Sequence, residues 1–251
     1  MTDPARRALL LGAAALPACG ALPRDLAPDG PVPAPTVRVG DRWRYQLLDR
    51  QSGRWIDEPT WTVVEVAPEI RMSVASRRAG PPREERFASA WSALAETLYG
   101  ATYEFAAPVP LLPSPIASGT ASATATTYLD TGTGRRRRWT QQLTAGRWER
   151  VEVPAGTFDC LRVGRVVAYE HVDGNRRGST LSDTLWYAPR VNRWVQREWR
   201  DEYVSAGLSG LGNAPIGEAA RDDWLLWQLT AYVPTPTSGR TGRGVPTSGD
   251  A

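Results

Sequence analysis

Residues 151–203 constrain the fold of this chain more than any other stretch. They read VEVPAGTFDCLRVGRVVAYEHVDGNRRGSTLSDTLWYAPRVNRWVQREWRDEY, four strand-like runs broken by three turn signals. Pro154 presets φ for the second position of a type I turn that closes on Gly156, so the chain reverses between Val151-Glu152-Val153 and Phe158-Asp159-Cys160-Leu161. Asp173-Gly174 accepts the positive φ values of a type I′ hairpin between runs 166–172 and 179–187. Pro189 holds Ala188 extended and turns the chain back into 191–203. Such a series forms an antiparallel meander, and no reactive motif lies within it.

The flanks extend the same pattern. In the run 37–48, Arg42-Trp43-Arg44-Tyr45 alternates, so the rings share one face and the arginines the other. Further strands are predicted at 61–66 and 70–77. Over 82–100 the period changes: Phe87, Trp91, Leu94 and Leu98 recur at helical spacing, with Glu84 and Glu85 in the first turn and Gly100 as C-terminal cap. This predicts one helix that covers a sheet face or a barrel end. Pro108, Pro110, Pro113 and Pro115 make 107–119 an extended loop, and Asp130-Thr131-Gly132-Thr133-Gly134 turns a hairpin between 120–129 and 135–143. A strand at 147–153 leads into the central stretch, and the Gly- and Ala-rich segment 205–220 reads as a mobile loop. In the last strand, 223–233, Leu225, Trp227, Leu229, Ala231 and Val233 fall on one core-facing side. With 41% hydrophobic and 23% charged residues, 37–233 can form one domain without disulfide staples.

Ahead of that domain, 1–18 has the parts of a removed export signal: Arg6-Arg7, an apolar run and small residues. Leu16-Pro17-Ala18-Cys19 resembles the lipobox of bacterial lipoproteins, which implies diacylation of Cys19. A plain secretory signal is the alternative, and Arg6-Arg7 also looks like a twin-arginine signal, leaving the export route open. The lipoprotein resemblance implies that Gly20 permits transfer to the outer membrane. Acyl chains, palmitate among them, then hold the protein there facing the periplasm, each buried CH₂ contributing about 0.8 kcal/mol. Residues 19–36, Pro- and Ala-rich, read as a tether, and 234–251 as a disordered tail. Without the signal the formal charge falls from +3 to +2, too little to imply nucleic acid.

Pro154-Ala155-Gly156-Thr157-Phe158, Leu185-Trp186-Tyr187-Ala188-Pro189 and Trp194-Val195-Gln196-Arg197-Glu198 together resemble exported bacterial domains of unknown function of the DUF3108 and TapB-like sort. Val39-Gly40-Asp41-Arg42-Trp43 and Leu229-Thr230-Ala231-Tyr232 fit the same layout, although the loop and helix before the central stretch are unmatched. The resemblance implies a mainly β fold, a long curved antiparallel sheet similar to the half-barrels of periplasmic lipoprotein carriers, with an apolar concave face. It brings no catalytic residue.

Direct signs of chemistry are few. His171 is the sole histidine and reads as a strand end, and with Cys160 it makes no metal set; no cofactor is implied. Cys160 reads as a small buried core residue, with intermolecular pairing as the minor alternative. Glu149, Glu152, Glu198, Asp201, Glu202, Asp222 and Asp223 mostly neighbour arginines, which favours cross-strand charge pairing on a solvated face over an acid/base pair. Of the eleven Trp, several follow an arginine, an adjacency that sends ring and guanidinium to opposite faces. Trp194 and Trp199 lie on opposite faces, so one of them meets polar neighbours; these two and Trp227 are the candidate ligand contacts. The residues thus point to a non-enzymatic, membrane-tethered domain that holds an apolar or amphipathic ligand on its concave sheet. A structural or assembly lipoprotein that binds an envelope protein or glycan through an Arg/Trp rim is the alternative, and a carboxylate-dependent hydrolase the third reading.

Overall fold

Alternating apolar and polar residues make nearly every ordered segment a strand. The computed structural model describes residues 26–28, 32–78, 80–98, 101–171, 176–205 and 219–236. The first strands are β1 (Arg42–Asp49), β2 (Trp55–Asp57), β3 (Thr60–Glu65), β4 (Ile70–Ala75), β5 (Arg83–Ser89), β6 (Ser92–Leu98) and β7 (Ala101–Pro110). They are followed by β8 (Ala121–Asp130), β9 (Arg135–Val153), β10 (Gly156–Tyr169), β11 (Arg176–Ala188), β12 (Arg193–Ser205) and β13 (Ala219–Val233). A 3₁₀ turn, Pro189–Val191, joins β11 to β12. From β3 onward each strand pairs with the next in sequence.

The mainly β, long curved antiparallel sheet expected from the sequence is present, and its curl continues to closure. β1 pairs with β3 on one side and β13 on the other, so twelve strands form a barrel, with short β2 beside the end of β1. It is therefore not an open half-barrel: the pairing of β1 with β13 closes the sheet on itself. The seam carries a bulge at Arg44/Tyr45. Leu229 opposes Tyr45, but Tyr232, not Ala231, stacks on Trp43 at 5.5 Å, and Val233 is left exposed. The single face predicted for 225–233 thus changes parity near its end.

The covering helix predicted over 82–100 is replaced by the β5–β6 hairpin, which turns at Ala90-Trp91 with Trp91 at φ 63°. Phe87 and Trp91 are both buried, as a helical stripe would require. Their burial comes instead from the turn, which drops Trp91 onto Trp43, Phe87 and Trp194 at 5.9, 5.5 and 5.2 Å. Pairing with β4 and β7 overrides a weak local preference. β7 likewise runs through Pro108 to Pro110, because its β8 ladder ends at Phe105 and no partner needs the missing N–H groups.

The two ends of the barrel differ. Trp43, Phe87, Trp91, Trp194 and Tyr232 mark the end at which β1 and β12 begin and β5 and β13 finish. The chain enters there: Val32 bridges Ile116, and the Thr36 N–H donates to Asn192 Oδ1 at 3.4 Å. The tip of the β9–β10 hairpin reaches over to β13, where the Ala155 N–H donates to the Leu229 carbonyl at 2.9 Å. Leu47, Ser76, Arg83 and Leu225 lie toward the other end. Outward residues of β9, such as Arg136, Arg138, Thr140, Gln142 and Thr144, are exposed, whereas Trp139, Gln141, Leu143 and Ala145 are buried. The barrel is thus apolar inside and polar outside, the reverse of a lipid-facing barrel.

The signal region and Cys19, the Asp173-Gly174 turn, most of the loop 205–220 and the tail from 237 onward lie outside the described residues.

Candidate functional site

The inward faces of β10 and β11 each carry one charge, Arg165 and Asp183, among mostly apolar residues, and that of β12 carries Arg193, Arg197 and Asp201. Arg165 shares its parity with Val163 and Val167, Asp183 with Leu181 and Leu185, and Arg197 with Val195 and Trp199. Register brings Arg165 directly opposite Asp183. Glu96 reaches the same point from β6. Arg165 donates from Nε to Asp183 Oδ2 at 2.9 Å and from Nη1 to Glu96 Oε2 at 3.3 Å. Arg197 donates to Asp183 Oδ1 at 3.0 Å, to Asp183 Oδ2 at 2.8 Å and to Glu96 Oε1 at 2.8 Å. Two carboxylates and two guanidinium groups therefore neutralise one another inside the barrel. Burial alone would raise the Glu96 carboxyl, but the charges of Arg165 and Arg197 outweigh it and hold the carboxyl below its ordinary value.

A third interior arginine lies nearer the entry end. Arg193 is fully buried, its guanidinium carbon 4.2 Å from the Trp194 ring centroid, 4.6 Å from Trp91, 5.0 Å from Trp61 and 5.3 Å from Trp43. Nη1 meets Met72 Sδ at 3.3 Å, and among the described residues Nε and Nη2 have no hydrogen-bond partner. Burial lowers its pKa, with Tyr45 and Glu85 acting against that. The expectation that arginine sits outside and tryptophan inside holds at Arg138-Trp139 but fails at Arg193-Trp194, where both are buried. The left-handed Asn192 and a bulge at Trp186/Tyr187 bring both side chains in where β12 starts.

Toward the opposite end the interior opens into a cavity of about 190 Å³. Its walls include Trp61, Trp199, Trp227, Leu47 and Leu225, with Glu85, Thr97, Asp57, Asp223 and Arg83 contributing polar groups. Trp199 packs edge-on against Trp227 at 4.8 Å, and Arg197 lies over both rings at 5.2 and 5.8 Å. Glu85 is only 5% exposed; its Oε2 accepts the Trp61 indole N–H at 2.9 Å, and among the described residues it forms no ion pair. Burial raises its pKa; Arg193 pulls the other way, and Glu96 adds to the rise. Asp57, by contrast, is occupied by the N–H groups of Glu58 and Arg77 and by the Ser76 hydroxyl. A cavity of about 150 Å³ already admits benzene, so this space suits a small ring or a short chain.

Of the residues singled out from sequence, Trp199 and Trp227 line this cavity, whereas Trp194 lies in the Arg193 cluster, away from it. Leu225 and Trp227 face neither a covering helix nor an open trough. Cys160 is buried, as read from the sequence, and forms no disulfide among the described residues. His171 is half-buried, its ring 6.1 Å from Tyr169. Glu149, Glu198 and Glu202 meet arginines on the outside, but Asp201 is buried and accepts the Tyr169 hydroxyl at 2.9 Å. The Asp222 side chain lies outside the described residues. Sequence reasoning missed Glu85, Glu96, Arg165, Asp183, Arg193 and Arg197. Charges on the apolar parity of successive strands are the signal that could have found Arg165, Asp183, Arg193 and Arg197.

No family model matches the chain, and no curated protein does. Solved structures do. A presumed lipoprotein from Parabacteroides distasonis aligns over 78% of this chain and 96% of its own, at 14% identity and TM-score 0.48. A presumed exported protein with a YmcC-like fold from Bacteroides fragilis aligns over 78% and 97%, at 12% and 0.46. The hypothetical lipoprotein YmcC from Escherichia coli aligns over 79% and 86%, at 10% and 0.41.

Proposed function

We propose that this protein is a lipoprotein of the bacterial cell envelope, related to the DUF3108 and TapB-like domains, whose barrel binds a small apolar or amphipathic ligand. The observation that carries the reading is the cavity of about 190 Å³ walled by Trp61, Trp199 and Trp227. Indole rings and leucines give a ligand apolar area worth about 25 cal/mol per Å² removed from water, and the buried polar groups beneath orient it. In this reading the ligand sits at one mouth of the closed barrel and not in a concave trough. Acyl chains on Cys19 anchor the protein at the outer membrane on its periplasmic side. The thirteen residue-to-residue steps from Cys19 to Val32 span at most about 45 Å, and Val32 joins the barrel at the end remote from the cavity, so the mouth opens away from the anchoring bilayer.

A glycan- or protein-binding rim is less favoured, because Trp194 and Trp199 are each only 3% exposed. Hydrolysis is less favoured too, because Glu96 and Asp183 are held by two guanidinium groups. Native mass spectrometry of protein purified from membranes tests the proposal. A mass increment for two or three acyl chains and a co-purified small molecule, the latter lost in Trp227→Ala, are expected. Consistently empty protein counts against ligand binding, and an unmodified Cys19 against the anchor.

A further inference from the structure

Glu85 is a buried carboxylate with no ion pair among the described residues, set in the wall of a tryptophan-lined cavity. A carboxylate in that position is costly unless something neutralises it. The nearby interior arginines do not do so within ion-pair distance: Arg197 is committed to Glu96 and Asp183, and Arg193 faces four indole rings. Asp57 and Asp223 are the other acidic groups in the cavity lining and Arg83 the basic one. The same interior already hosts guanidinium groups over Trp61, Trp199 and Trp227, so its rings present electron-rich faces to cations. Thr97 Oγ1, buried without a hydrogen-bond partner among the described residues, adds a polar atom to the same wall.

We infer that the cavity selects an organic cation: the ammonium head of a small amphiphile, neutralised by Glu85 and flanked by Trp61, Trp199 and Trp227, with its carbon chain along Leu47 and Leu225. The inference rests on the ligand-binding reading above and gives that ligand a charge. An anionic head is disfavoured by the Glu85 carboxylate, and a neutral head brings it no countercharge within ion-pair distance.

Three probes of one chain length decide it: hexylammonium, hexanol and hexyl sulfate, each titrated into the purified full chain and followed by tryptophan fluorescence and calorimetry. Hexylammonium is expected to bind roughly ten- to a hundredfold more tightly than hexanol, the equivalent of one charge-assisted contact. Hexyl sulfate is expected to bind more weakly than hexanol. Glu85→Gln keeps an acceptor for the Trp61 N–H, and it should lower hexylammonium affinity to the level of hexanol while leaving hexanol unchanged. Equal binding of hexanol and hexylammonium to the unaltered protein overturns the inference and leaves the apolar cavity intact. Failure of all three to bind overturns the ligand-binding reading itself.

Discussion

Replacing Arg197 by methionine removes three hydrogen bonds of 2.8 to 3.0 Å and leaves Glu96 and Asp183 to share Arg165 alone. The two carboxylates are 2% and 0% exposed, so water cannot take over the lost charge. Breaking one member of such a buried set costs about 3–5 kcal/mol, chiefly because an uncompensated charge stays inside. At about 2–4 °C per kcal/mol for a domain of this size, the melting temperature should fall by roughly 10 °C. Urea melts followed by tryptophan fluorescence measure the loss. Arg200→Met is the control: its partner Glu202 sits 3.2 Å away with both side chains about 40% exposed, and its removal should cost less than about 1 kcal/mol. Adding Glu96→Gln to Arg197→Met restores neutrality with Arg165 facing Asp183, and should recover about 1–3 kcal/mol. If Arg197→Met loses no more than Arg200→Met, or if the two interior substitutions are additive, the cluster is not the coupled unit described above.

The two interior carboxyls of Glu85 and Glu96 should respond oppositely to pH. Glu85 has its folded pKa raised by burial, against the pull of Arg193 and Arg197 and with Glu96 reinforcing it, so its contribution to stability is present at low pH and lost as pH rises through that value. Glu85→Gln should therefore melt higher than the unaltered protein near pH 8 and level with it near pH 4, read by scanning calorimetry; a variant less stable at both would mean that Glu85 is held ionised. For Glu96 burial is outweighed by Arg165 and Arg197, the folded value is depressed, and its contribution is present above the ordinary carboxyl range and lost as pH falls through the folded pKa. Glu96→Gln should accordingly destabilise most near neutral pH. The Cys160 thiol is pushed up to about 12, first by burial and then by Asp159 and Glu149. Native protein should therefore leave an aromatic disulfide reagent unreacted near pH 8, with one thiol equivalent from Cys160 appearing on denaturation.

The strands and their faces were legible residue by residue. Trp43 and Tyr45 against Arg42 and Arg44, the Pro154–Gly156 turn and the Ala188-Pro189 turn are set by side-chain alternation and local backbone preference, which act over a few neighbours and need no partner. The lipobox-like run at Leu16-Pro17-Ala18-Cys19 is likewise written in adjacent residues. The hairpin at 83–98 was not legible, because Phe87, Trp91 and Leu94 at helical spacing fit a helix as well as two strands around a tight turn. Pairing with β4 and β7 decided between them.

Neighbouring residues alone make this chain alternate, reverse and bury most of its rings. The tertiary structure decided the rest: that β1 meets β13, that a bulge at Arg44/Tyr45 puts Tyr232 under Trp43, and that Glu96, Arg165, Asp183 and Arg197 neutralise one another. Glu96 and Arg197 are 101 positions apart, and only closure of the barrel sets them 2.8 Å from each other. A charge on an apolar parity is ambiguous until its counter-charge is in place, since burial is unfavourable for each ion alone and tolerable for the set.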